Sequence, residues 1–246
     1  MNKIWILLLM IGMLTVTCKD AEKSAKLQVL IITGGHDFEP TAFFDMFKSF
    51  EDIEFTEAVQ PQANQLYVTG QARRYDVIVL YDMVQDITDE QKQAMMDTFR
   101  NGQGLVVLHH ALASYNDWPE YEKLIGGLYH LKAGVKDGQE IPASTFHHDV
   151  EVNVHIADPK HPVTAGLQDF VLRDEVYGGF TTEPSIHPLL TTDHPQSSPV
   201  IAWSNEYGKS HVVTIQPGHD AHSWNNPNYR KLLHNAIRWV AQPDKK

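Results

Sequence analysis

Three runs of apolar residues, each one strand long and almost unbroken, constrain this chain more than any other feature. They read LQVLIIT at 27–33, YDVIVLYD at 75–82 and GLVVLHH at 104–110. A strand with one wetted face alternates apolar and polar residues, whereas a strand covered on both faces does not. The segments between the runs fit helices that supply the cover. TAFFDMFKSF places Phe43, Phe44, Phe47 and Phe50 at helical spacing, with Pro40 near the helix start. IEFTEAV, 53–59, alternates as a further strand. In ITDEQKQAMMDTFRNG, Thr88 and Gln91 have capping-box spacing and Gly102 sits where a C-cap glycine belongs. YNDWPEYEKLIGG reads as another helix. The order strand, helix, strand, strand, helix, strand, helix implies an α/β fold: a parallel sheet with helices on both faces.

The middle, 128–186, is less regular. HHDVEVNVHI alternates, with Val150, Val152, Val154 and Ile156 on one face, so it reads as a half-exposed antiparallel strand at the sheet's margin. ADPKHPVTAGL reads as a turn-rich loop and DEVYGG as a short motif between apolar residues. Order returns with PVIAWSN and HVVTIQP, two strands joined by the turn EYGKS, and then a polar loop, GHDAHSWNNP. The last helix is the clearest element. Asn226 caps it, Pro227 fits its first turn, and Tyr229, Leu232, Leu233, Ala236, Ile237 and Val240 form one apolar stripe. We read one domain over 27–242.

Ahead of it, MNKIWILLLMIGMLTVTC (1–18) has a positive start at Lys3, an apolar stretch too short for a comfortable membrane span, and then Cys18. It reads as an export signal followed by a tether, 19–26. The signal resembles the lipoprotein type, with Cys18 as the lipidated residue; ordinary cleavage without a lipid is the other reading. The expected location is the periplasm or the outer membrane, with membrane contact only through that anchor.

The net charge of -11 and the lack of any Lys/Arg run argue against nucleic acid as a partner. Cys18 is the single cysteine, so the folded domain has no disulfide framework and no thiol nucleophile. GxGxxG, GxxxxGK[ST], GxSxG and HExxH are all absent. What stands out instead is histidine, 14 in all, a frequent acid, base and metal ligand. In an open parallel sheet, ligands gather at the carboxyl ends of strands. GGHD (His36, Asp37), HH (His109, His110), DE (Asp174, Glu175) and GHDAH (His219, His222) fall there, with HHD (His147, His148) opening the marginal strand. Of the pair His109 and His110, alternation along a strand sends one ring to the cleft and the other into the protein. His155, His187, His194, His211 and His234 read as structural or surface residues.

GLVVLHHA, HPVTAGLQDFVLRDEVY, PVIAWSNEYGKSHVVTIQPGHD and NPNYRKLLHNAIRWVA together resemble the ThuA-like family, named for trehalose utilisation. The resemblance spans about Leu27 to Val240. It implies a flavodoxin-like, three-layer α/β sandwich of the class I glutamine amidotransferase type. It also implies a role in carbohydrate metabolism linked to oxidised keto-sugars. In amidotransferases the strand corresponding to GLVVL ends in an elbow with a catalytic cysteine. Here the elbow offers His109 and His110, so amidotransferase chemistry is not expected.

The resemblance leaves the mechanism to the residues themselves, and from their places at strand ends His109, His110, Glu175 and His219 are the expected catalytic residues. His36, Asp37, Asp174 and His222 are expected to touch a small carbohydrate. Trp118, Tyr177 and Trp224 either stack on sugar faces or pack in the core. A divalent metal, zinc by preference for imidazole, would be held through His36, His109 and His219, with His147 or His148. The expected activity is hydrolysis, elimination or isomerisation of a sugar derivative. A non-catalytic carbohydrate-binding protein and a metal-dependent amidase or deacylase are the alternatives.

Overall fold

A computed structural model describes residues 25–136 and 138–242 of the chain. The export signal, Cys18 and most of the tether lie outside the described residues. The central sheet has nine strands: β1 (Leu27–Gly34), β2 (Ile53–Val59), β3 (Val77–Asp82), β4 (Gly104–Leu108), β5 (Thr145–Ile156), β6 (Phe170–Gly178), β7 (His187–Thr191), β8 (Val200–Tyr207) and β9 (Ser210–Ile215). Their spatial order is β2-β1-β3-β4-β9-β8-β7-β5-β6. The first five in that order pair parallel. The remaining pairings are antiparallel and extend the sheet as a wing.

Four main helices cover the sheet: α1 (Pro40–Lys48), α2 (Asp89–Arg100), α3 (Pro119–Ile125) and α4 (Pro227–Val240). On one face Val29, Ile31, Val79, Val106 and Val213 pack against α1 and α4. On the other, Leu30, Ile32, Ile78, Leu105, Val107 and Val212 pack against α2 and α3. Successive side chains of a strand point to opposite faces, and here both faces are core, which is why the apolar runs do not alternate. This is the mostly parallel three-layer sandwich expected. Thr88 and Gln91 form the capping box of α2, and Asn226 caps α4 by accepting from the N–H groups of Asn228 and Tyr229. Gly104 opens β4 because α4 presses on it: a Cβ there would stand 2.4 Å from the Val240 carbonyl oxygen.

Three elements differ from the sequence reading. FVLRDEVYG is a full strand, β6, and it forms the outer edge, so β5 is second from the margin. Its inward positions are Phe170, Leu172, Asp174 and Val176, and the buried carboxylate breaks the apolar alternation that marks a strand. The polar loop after β9 contains a one-turn helix, Ala221–Trp224, capped by Asp220. Between β2 and β3 the chain makes short helical turns over 62–74.

Those turns enclose a buried polar knot at the end of β3. Gln60 Nε2 donates to Asp82 Oδ2 (2.9 Å) and Asn64 Oδ1 (3.0 Å), and Tyr115 OH donates to Asn64 Oδ1 (3.0 Å). Burial pushes the Asp82 carboxyl up to about 7, partly offset by the Gln60 hydrogen bond. The unfolded chain releases that proton near the ordinary carboxylate pKa of about 3.9, so between that pH and 7 the folded state holds a proton the unfolded state lacks. Stability is therefore greatest at the acid end of this window and falls as pH rises through it, by about 4 kcal/mol for a shift of about 3 units. Asp82→Asn should flatten that slope and raise stability at pH 8 relative to wild type. Urea unfolding at pH 4.5, 6 and 8 measures it; parallel slopes for both proteins would refute a buried, protonated Asp82.

Candidate functional site

The chain leaves strand conformation at the end of β4. Residues His109–Ala113 form a 3₁₀ turn, and His109 has φ +40°, left-handed and uncommon for a residue with a Cβ. Alternation therefore stops one residue before the histidine pair. Contrary to the expectation of one ring in the cleft and one in the core, both are buried and both border the site. Such strain at an elbow costs about 1–3 kcal/mol and persists only where surrounding structure over-determines it.

Here the fixing contacts are plain. His109 Nδ1 lies 2.6 Å from the Gln216 carbonyl oxygen. A carbonyl only accepts, so Nδ1 carries the proton and Nε2 faces the site with its lone pair or a second proton. Around that Nε2 stand Glu175 Oε2 at 2.8 Å, Tyr177 OH at 3.0 Å and His219 Nδ1 at 3.2 Å. His219 Nδ1 is 3.1 Å from Glu175 Oε2, which closes a triangle of donor atoms. The second Glu175 oxygen, Oε1, meets His148 Nδ1 at 3.3 Å.

Neighbouring β6 residues divide the work of building this triangle. Glu175 and Tyr177 point to the cleft. Asp174 points the other way, where its carboxylate accepts from the backbone N–H groups of Gly218 (2.7 Å), His219 (3.0 Å) and Glu175 (2.8 Å). Asp174 thus pins the loop that carries His219. Trp224 Nε1 and Tyr81 OH both donate to the Gly218 carbonyl, and Tyr81 OH reaches the His219 carbonyl too. His148 arrives through a β-bulge: the β5–β6 register shifts between His147 and Val150, with Asp149 at φ +56°. A bulge re-aims a side chain, and this one turns His148 over Glu175.

The electrostatics follow from enclosure and pairing. Burial pushes the Glu175 carboxyl up, but hydrogen bonds and charge from His109 and His219 outweigh it and hold the group well below the usual carboxylate range. The Glu175 hydrogen bond raises the His219 imidazole above its ordinary value, with burial opposing. Burial, with the neighbouring histidines adding to it, drives His110 far down, so that ring is neutral. Both His110 nitrogens are buried with no hydrogen-bond partner among the described residues. An unsatisfied buried polar group costs about 1–3 kcal/mol, so such a residue calls for an explanation. The described residues contain one grouping of donor atoms suited to a metal ion: His109, His110, Glu175 and His219, all within 4.8 Å of one another.

Above the triangle lies a cleft of about 180 Å³. His36, His110, His148 and Glu175 make its polar side; Met83, Tyr129, Leu131 and Phe146 make an apolar side. His36 stacks on His110, ring centroids 3.8 Å apart. A larger hollow of about 240 Å³ beside α3 is lined by Glu122 and Lys136. Lys136 Nζ there lies 2.7 Å from Glu122 and 3.1 Å from Glu183.

Of the residues expected at the site, His36, His109, His110, His148, Glu175, Tyr177 and His219 come together, with Asp174 immediately behind. Others do not join them. Trp224 is fully buried and packs on Phe43 and Tyr81, so it cannot stack on a ligand. Trp118 packs on Tyr115 and Tyr121, under Lys92. His147 contacts Gln196, because the bulge turns it away from Glu175. His222 pairs with Asp220 and, like Asp37, is exposed outside the cleft lining. The sequence reading missed Tyr129, Leu131, Phe146 and Met83, which carry no chemical signature and lie on connecting segments or a strand end.

Asp174→Asn tests the frame. The amide nitrogen would face a backbone N–H that now meets an acceptor, and donor opposite donor is repulsive. We expect a loss of about 1.5–3 kcal/mol in unfolding free energy, the range for a hydrogen bond to a charged group. Denaturant melts measure it, and a variant as stable as wild type would remove Asp174 from its framing role.

The profile of the trehalose-utilisation family, ThuA, matches residues 28–240. A ThuA-like protein of Parabacteroides merdae superposes with a TM-score of 0.71 at 19% identity, covering 88% of this chain and 90% of that one. Another from Bacteroides uniformis gives 0.67 at 22% identity, over 91% and 94%. PurLQS of Thermotoga maritima, a glutamine amidotransferase, gives 0.56 at 10% identity, over 87% and 99%. At these identities the superpositions speak to the fold alone. No curated protein matches the sequence. With the family profile covering nearly the whole described domain, the chain belongs to the ThuA family, and its role lies in carbohydrate metabolism.

Proposed function

We propose that this protein is an exported enzyme that acts on a sugar or keto-sugar glycoside by acid–base chemistry at His109, His219 and Glu175. The observation that carries this reading is the triangle of His109 Nε2, His219 Nδ1 and Glu175 Oε2, with edges of 2.8, 3.1 and 3.2 Å, which reaches an open cleft through Glu175. Lone pairs that close repel one another unless positive charge sits among them. In the protein alone that charge is a proton, and Glu175 favours keeping it on His219. A proton held beneath a cleft can be given to a sugar oxygen and taken back, which is general acid–base catalysis. Where negative charge develops on a keto-sugar oxygen, the same proton stabilises it. Tyr177 OH, whose proton burial retains far above the usual phenol range, is a second donor 3.0 Å from His109 Nε2.

The cleft supports a small neutral carbohydrate. Its volume of about 180 Å³ falls below the roughly 300–1,000 Å³ that buries a drug-sized ligand, so it suits one sugar ring. A sugar has a polar rim and apolar C–H faces, and the cleft has one wall of each kind. No Lys or Arg lines it, which disfavours phosphorylated or acidic sugars. Glutamine amidotransfer is not proposed, because the elbow carries His109 in place of a thiol and the only cysteine is Cys18. Export rests on residues 1–18 and their resemblance to a lipoprotein signal.

The purified protein, given trehalose, its 3-keto form and related glycosides, should form product from at least one of them. Glu175→Gln and His109→Ala should each lower kcat/KM by roughly 10²–10⁴-fold, the usual worth of general acid–base catalysis. Turnover unchanged in both variants would place the chemistry elsewhere. Tight sugar binding without turnover would make the protein a carbohydrate-binding module instead.

A further inference from the structure

We propose that His109, His110, His219 and Glu175 form a binding site for one divalent transition-metal ion of the zinc type. The inference stands on donor geometry and does not depend on the sugar reading. His109 Nε2, His219 Nδ1 and Glu175 Oε2 stand 2.8–3.2 Å apart. Ligands on a tetrahedral zinc ion with bonds of about 2.0–2.1 Å stand about 3.3 Å apart, so the triangle needs only slight opening to seat the ion. His110 completes a set whose atoms all lie within 4.8 Å of one another, and it must move inward on binding.

Two independent features point to an ion. First, His110 is 2% exposed and neither of its nitrogens has a hydrogen-bond partner among the described residues. A metal bond supplies the partner that its burial otherwise denies it. Second, the surroundings have the form of an outer ligand shell. His109 gives its Nδ1–H to the Gln216 carbonyl, fixing the tautomer that leaves Nε2 free to ligate. His148 Nδ1 holds the Glu175 oxygen that is not in the triangle. Asp174 fixes the backbone of His219.

Three imidazoles and one carboxylate select zinc, cobalt or nickel over magnesium and calcium, which want oxygen ligands throughout. This set differs from the one the sequence pointed to. His110 and Glu175 enter it, His36 stacks on a ligand, His148 supports one, and His147 lies on Gln196.

The full chain, made without a polyhistidine tag and stripped with a chelator, should be titrated with Co²⁺, Zn²⁺ and Mg²⁺. Expected are one Co²⁺ per chain with visible d–d absorption, displacement of that absorption by Zn²⁺, and no competition from Mg²⁺. Glu175→Gln and His219→Ala should each weaken Co²⁺ binding at least tenfold while far-UV circular dichroism stays that of wild type. His155→Ala, in an exposed pair with Asp169 outside this cluster, should bind as wild type. Two results would overturn the site: no Co²⁺ or Zn²⁺ uptake at micromolar ion, or uptake that Glu175→Gln and His219→Ala leave unchanged. If metal binds but no sugar is turned over, the site stands and the sugar reading falls.

Discussion

The hydrogen bonds of the Asp174 carboxylate hold this site together. A flavodoxin-like parallel block by itself supplies only the β4 elbow and the loops after β1 and β9. The acidic partner of those histidines comes from the antiparallel wing, whose outer strand β6 is far from β4 in the sheet order. What brings it back is Asp174, which accepts from the N–H groups of Gly218 and His219 on the loop after β9. That loop sits at the carboxyl end of a central parallel strand. One carboxylate therefore fastens the end of the wing to the place where an open α/β sheet binds its ligands.

The elbow is the second constraint. His109 holds a left-handed backbone, and its ring is clamped between Gln216 on one side and Glu175, Tyr177 and His219 on the other. In the amidotransferase fold a turn of this kind lifts a nucleophile clear of the sheet. Here it puts two consecutive imidazoles under the cleft floor. Fold alone does not fix chemistry, so what this turn can do follows from the two imidazoles it carries.

How much of this the sequence could disclose depends on which physical signal each part carries. The parallel block was legible because burial on both faces leaves continuous apolar runs, and α2 and α4 because their caps are local. β6 was not legible as a strand, because the residue facing the core at its centre is Asp174 and the apolar alternation breaks there. Only the three N–H donors, one adjacent and two more than forty residues away in sequence, make that burial tolerable. The members of the triangle were legible one by one, from histidines and a carboxylate at strand ends. Their convergence was not, since it depends on a register set across the sheet. His148 and His147 could not be told apart until the bulge showed which one turns inward. The alternation rule failed at His109 and His110 because it describes strands, and the strand ends at Leu108.

Consecutive residues with opposite duties recur at this site, and the reason is physical. Asp174 and Glu175 are both buried acids, and a buried carboxylate must be compensated where it stands. Asp174 is compensated by neutral backbone donors, so its worth lies in position and does not depend on the state of any side chain. Glu175 is compensated by imidazoles, so its environment changes whenever they gain or lose a proton or an ion. Placing the two on opposite faces of one strand gives them separate partners: Asp174 meets backbone N–H groups and Glu175 meets imidazoles. His109 and His110 divide in the same way. His109 is fixed through Nδ1 and presents one atom to the site, while His110 is held by ring packing alone, with neither nitrogen hydrogen-bonded.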